Sequence, residues 1–185
     1  MKVKQFVMAY RADHEKIKSL LKDGFTSLRP VLRINVEVIA GEREKERVRI
    51  EWNTPVAAEG KRGWLNLHTW ESTETKIDYE ILQKHAGEKT VGSETAVKGA
   101  TFQFKTEFLT IEYTGVGLVG GCPAEDDNDG CFYLKGNEYI FVESEAIDGF
   151  KEYCDCAFQW TKPYMDGMKL PAEELLGAYK VEFDR

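Results

Sequence analysis

The sequence predicts a mainly β (α+β) protein: a closed or nearly closed antiparallel sheet carrying two short helices. Segments alternating apolar and polar residues recur along the whole chain, about nine to eleven of them. Only two short stretches show helical spacing. There is no fixed-period repeat and no low-complexity linker, so residues 1–185 read as a single domain. A sheet with that many strands removes its open edges by closing on itself.

The elements follow in order. Lys4–Tyr10 is apolar and β-prone, a first strand. Asp13 is placed to cap a helix, because its carboxylate accepts orphan backbone N–H groups. Ile17, Leu20 and Leu21 then fall at helical spacing, and Gly24 ends the pattern. VLRINVEVIAG is a strand, paired as a hairpin with Val48–Asn53 across the charged turn EREKERVR. GWLNLHTWE and KIDYEIL are further strands, and residues 83–99 read as a polar loop. ATFQFKTEFLTIEYTGVGLVG holds two strands, or one long bent one, with its glycines at the bends. FYLK and EYIFVE flank the turn pair Gly136–Asn137. CDCAFQWT is a strand, LPAEELLG a second short helix, and AYKVEF a closing strand.

Composition removes some classes of function. The chain is 42% hydrophobic and 31% charged, as expected of a folded globular protein. Its net charge of -7 disfavours a phosphate backbone, so no nucleic-acid partner is expected. No apolar run reaches the roughly 18 residues of a membrane span. The N-terminal apolar stretch is too short for a signal peptide, so a cytoplasmic location with reduced thiols is expected.

Strand faces suggest where a ligand would sit. Alternation sets Leu32, Ile34, Val36 and Val38 against Arg33, Asn35 and Glu37. It sets Phe102, Phe104 and Phe108 against Gln103, Lys105 and Glu107. In GWLNLHTWE it sets Leu65, Leu67, Thr69 and Glu71 against Trp64, Asn66, His68 and Trp70. Two readings of the polar faces stay open. They are wetted by solvent, or they line a cavity in which an arginine grips a carboxylate bidentately and a glutamate positions a proton.

Other motifs are weaker. Gly115-x-Gly117-x-x-Gly120 matches a dinucleotide loop only formally, because Pro123 and an acidic run follow instead of a helix N-terminus. Glu125-x-Asp127-x-Asp129-Gly130 begins like a calcium loop, but Gly136 occupies the position that needs a bidentate carboxylate. The spacing C-x8-C-x22-C-x-C does not match zinc knuckles. No metal and no organic cofactor is expected. GGCPAEDDNDGCF therefore reads as a glycine-bent strand end entering a polar turn.

Two segments carry a family resemblance. FVMAYRADHEKIKSLLKDGF, with Phe6, Tyr10, Arg11, Asp13, Ile17, Leu20 and Leu21, leads into RPVLRINVEV. KLPAEELLGAYKVEF closes the chain. In order and spacing these segments resemble the start and end of the acetoacetate decarboxylase family. The resemblance implies an antiparallel β-barrel or cone with a central cavity, assembled as a homo-oligomer. It also implies a lysine Schiff base with a small β-keto acid, whose amine must be neutral to attack. That family carries its lysine in a Lys-Lys pair, and this chain contains none. By position, Lys76 stands nearest to that lysine, a few residues after Glu71. Lys105 is the second candidate, from strand-face logic. Arg33 would hold the substrate carboxylate, with Glu37 or Glu71 assisting protons and Asn35 and His68 completing the site. The reading is an enzyme, a lyase acting on a small organic acid. The alternatives are a related barrel that binds a small molecule without turning it over, and a metal-dependent enzyme built on the acidic loop and thiols.

Overall fold

The structure, a computed structural model, describes residues 1–40, 46–82, 99–121, 130–144, 147, 150–162 and 170–185. The elements in chain order are β1 (Lys2–Arg11), α1 (His14–Leu20), β2 (Thr26–Ser27), β3 (Val31–Ala40), β4 (Arg47–Ala58), β5 (Lys61–Glu71) and β6 (Asp78–Leu82). They continue as β7 (Thr101–Lys105), β8 (Leu109–Gly121), β9 (Cys131–Lys135), β10 (Glu138–Val142), β11 (Phe150–Trp160) and β12 (Glu174–Asp184). The twelve strands of the described residues all join one sheet, in the order β10-β9-β5-β4-β3-β1-β12-β11-β8-β7-β6, with β2 pairing β4 to the side.

The expected closed or cone-shaped barrel does not form. The sheet is open among the described residues, with β10 at one end and β6 at the other. Counting strands predicts how much sheet there is, not whether the first and last strands meet. The terminal strands β6, β7, β9 and β10 have only five residues each, and short edges are one way an open sheet limits its exposure.

The sheet nevertheless curls over its apolar face. Phe6 on β1 reaches Phe102 and Phe104 on β7, with ring centroids 4.9 and 5.2 Å apart. Trp52 on β4 meets Trp160 on β11 at 5.2 Å. Its indole N–H donates to the buried Tyr10 hydroxyl at 3.1 Å. Leu32, Ile34, Val36 and Val38 lie in this same core. Asp13 caps α1 as expected, its carboxylate accepting from the Lys16 N–H at 2.9 Å, and Ile17 is fully buried.

The second expected helix is also corrected. Glu174, Leu175, Leu176 and Gly177 open β12 instead, with Glu174 opposite Arg11 and Leu175 opposite Tyr10. Ala-Glu-Glu-Leu-Leu favours helix locally. Here pairing wins, because β12 fills the position between β1 and β11 and completes both of their backbone ladders.

A third correction concerns β5. Asn53 on β4 pairs Asn66, but its neighbour Trp52 pairs His68, so Leu67 is an extra residue. This β-bulge reverses the alternation at mid-strand. Trp64, Asn66, Thr69 and Glu71 share one face, while Leu65, His68 and Trp70 lie on the other.

The hairpin β9–β10 turns at Gly136–Asn137 as expected, with Gly136 at φ +66°. Its docking is not foreseeable from pattern. β9 runs parallel to β5, pairing Cys131 with Trp64 and Phe132 with Leu65. The approach is close: the Trp64 N–H donates to the Gly130 carbonyl at 2.9 Å. A Cβ on Gly63 would lie 2.5 Å from that carbonyl oxygen. The glycine bends at 115, 117 and 120 lie inside β8. The polar loop 83–98 and the acidic segment 122–129, including Cys122, lie outside the described residues.

Candidate functional site

The cross-strand register gathers a polar cluster on the face opposite the aromatic core. Arg33 lies opposite Asn53, Asn35 opposite Glu51, and Glu37 opposite Arg49. Across β4 and β5, Arg49 meets Glu71, Glu51 meets Thr69, and Asn53 meets Asn66. β9 adds Cys131 and Tyr133. The centre of the cluster is buried, with Asn35 9% exposed, Glu37 and Glu51 5% each, and Asn53 0%, while Arg33, Arg49 and Glu71 are partly exposed around it.

Its carboxylates are already paired. Glu37 accepts a bidentate contact from Arg185 at 3.0 and 3.2 Å. Glu51 takes an ion pair from Arg49 at 2.5 Å and accepts the Tyr133 hydroxyl at 3.0 and 3.2 Å. Glu71 lies 3.7 Å from the Arg49 Nε.

An amide chain fixes Asn53. Thr69 donates to the Asn66 carbonyl oxygen at 3.2 Å. The Asn66 amide nitrogen donates to the Asn53 carbonyl oxygen at 3.0 Å. The Cys131 thiol also points at that oxygen, 4.0 Å away. The Asn53 NH2 is thereby turned the other way, and it is buried without a partner among the described residues.

Among the described residues of the cluster, Arg33 is the arginine with no ion pair. Its guanidinium stacks on the Trp64 ring, 3.8 Å from the centroid. Its Nε is buried and unpartnered among the described residues. Burial lowers its pKa, partly offset by Cys131, Tyr179, Glu51 and Tyr133 nearby. The group stays protonated regardless. Burial pushes the Cys131 thiol up to about 12, so it is a neutral thiol.

The other sequence-predicted residues are spread out. Lys76 is 84% exposed in its side chain and pairs with Asp78 at 3.1 Å. Lys105 is exposed at the end of β7, five strand positions from β3 in the sheet order. His68 faces the apolar side, its ring edge-on to Trp70 at 4.5 Å, and burial lowers its pKa. Arg33, Asn35, Glu37 and Glu71 thus share the polar face, while His68, Lys76 and Lys105 stand away from the cluster. Among the described residues, no group of three metal-ligating side chains comes together, and no helix is long and apolar enough to cross a membrane.

Arg49, Glu51, Asn53, Asn66 and Tyr133 were missed. The signal for the first three was available: RIEWN alternates like RINVE and sits in the hairpin already expected from pattern. Tyr133 had none, because β9 reaches β5 by a parallel pairing across a long stretch of chain.

The fold is similar to that of solved acetoacetate decarboxylase-like proteins. An acetoacetate decarboxylase structure is similar, with TM-score 0.63 and 11% identity over 98% of this chain and 84% of that one. The enzyme from Legionella pneumophila subsp. pneumophila str. Philadelphia 1 gives 0.59 and 9%, over 98% and 81%. The enduracididine biosynthesis enzyme MppR complexed with pyruvate gives 0.61 and 11%, over 98% and 84%. No protein-family model and no curated protein matches the chain.

Proposed function

We propose that this acetoacetate decarboxylase-like protein binds a small organic acid, with Arg33 and Asn53 holding its carboxylate. The observation that carries the reading is the pair of unpartnered buried donors set directly opposite each other, one of them charged. Unmet buried donors are costly, and a carboxylate satisfies both while neutralising the guanidinium. Trp64 holds the guanidinium over its ring, and Asn66 holds the Asn53 amide, so both donors are preorganised. The solved MppR complex with pyruvate shows that a protein of this fold accommodates a small keto acid.

The binding reading is favoured over a lysine Schiff base because each carboxylate of the cluster pairs with arginine, while Lys76 and Lys105 are solvent-exposed. The fold likeness to acetoacetate decarboxylase supports the second reading. In it a neutral amine of Lys76, Lys105 or a lysine outside the described residues condenses with the ketone, losing water. The C–C bond to the carboxylate then breaks, CO2 leaves, and the iminium nitrogen takes the electron pair, with Glu71 handling the proton.

Calorimetric titration with butyrate and with neutral butyramide tests the first reading. Butyrate should bind and butyramide should not, and Arg33→Met should abolish the difference. Equal binding of the two would overturn it. A borohydride-stable lysine adduct with acetoacetate or pyruvate, mapped by mass, would promote the second.

A further inference from the structure

We infer that the acid held at Arg33 and Asn53 is a short hydroxy acid whose hydroxyl donates to the side-chain carbonyl of Asn35. The inference rests on the carboxylate reading above and concerns what lies beside that carboxylate.

Asn35 is two residues along β3 from Arg33, on the same face, roughly 6.6 Å away along the strand. It is 9% exposed, and its carbonyl oxygen is buried without a partner among the described residues. Its cross-strand neighbours offer no donor. Val7 on β1 is apolar, and Glu51 on β4 is a carboxylate occupied by Arg49 and Tyr133. Apart from the Arg49 Nε, which faces the Glu71 carboxylate at 3.7 Å, the cluster therefore presents two unmet donors among the described residues, at Arg33 and Asn53, and beside them one unmet acceptor.

The complementary ligand carries acceptors at one end and a donor one or two carbons away. A 2- or 3-hydroxy acid has that pattern. A keto acid places an acceptor against an acceptor, and an unsubstituted acid leaves the Asn35 oxygen unmet. Turning the Asn35 amide over would present its NH2 and favour the keto acid instead, so the ranking of ligands reports the orientation directly.

The test is calorimetric titration of two matched series: propionate, pyruvate and lactate; butyrate, acetoacetate and 3-hydroxybutyrate. In at least one series the hydroxy acid should bind about tenfold tighter than both companions. Asn35→Leu should bring all three within about twofold while the unsubstituted acid still binds. Asn35→Ala serves if the leucine variant does not fold, and the ranking on the parent protein decides by itself. A keto acid that binds as tightly as its hydroxy partner overturns the inference, as does a preference that survives both substitutions. If no acid binds, or Arg33→Met leaves binding intact, the carboxylate reading fails first and takes this one with it.

Discussion

The two faces of the β4–β3–β1 region are built from the same strands by the same period-2 rule, yet they end in opposite states. On one face Phe6, Ile34, Ile50 and Trp52 bury completely or nearly so and meet partners from the far half of the sheet. On the other face Asn35, Glu37, Glu51 and Asn53 are buried almost as deeply, but Arg33, Asn35, Arg49 and Asn53 each keep a buried polar atom without a hydrogen-bond partner among the described residues. The contrast teaches a division of labour. Packed rings contribute the stability, while preorganised but unsatisfied polar groups forgo some of it for recognition.

The sharpest way to break that comparison is to cut the apolar face. Phe104→Ala or Trp52→Ala should cost about 3–5 kcal/mol in urea unfolding. A loss below about 1 kcal/mol would deny that this face carries the stability.

Arg185→Ala should come next, at about 1–3 kcal/mol, because it strands the buried Glu37 carboxylate. The double variant with Glu37→Leu should recover part of that loss, since it removes the stranded charge.

A smaller effect should appear with alkali. The Cys131 thiol is raised from 9.0 to about 12 by burial, so between those values the unfolded chain has lost a proton that the folded one keeps. Stability should therefore fall as pH rises above about 9, and Cys131→Ala should flatten that fall. His68 works at the acid end with the opposite sign. Its pKa is lowered on folding, so stability should decline as pH drops below about 6.5, and less so in His68→Gln.

Arg33→Met should be the mildest for stability, within about 1 kcal/mol or stabilising, because it removes a partly buried cation that has no ion pair among the described residues. The same variant should lose at least about tenfold in butyrate affinity. A strong destabilisation with unchanged binding would make the polar face merely structural.

Much of this was legible from alternation. Leu32, Ile34, Val36 and Val38 against Arg33, Asn35 and Glu37 is the observed division of β3. The hairpin of β3 with β4 followed from the charged turn between two alternating runs. From that pairing Glu51 and Asn53 could have been read onto the polar face. The bulge at Leu67 could not, because one extra residue leaves no mark in the apolar pattern and yet moves His68 to the opposite face. The start of β12 was misread because a short stretch obeys its local helix preference only when no ladder offers more hydrogen bonds.

By itself the sequence determined that this chain is mainly β, which residues share a face on β3, where α1 is capped, and that two of its segments resemble acetoacetate decarboxylases. These are short-range properties, set by the alternation of side chains and by capping chemistry. Only the tertiary structure decided that, among the described residues, the sheet stays open, that β9 docks parallel to β5 and brings Tyr133 to Glu51, and that Arg33 faces Asn53 with no carboxylate paired to it. The physical reason is that strand order, register and the satisfaction of buried polar groups depend on partners distant in sequence, which no local pattern encodes.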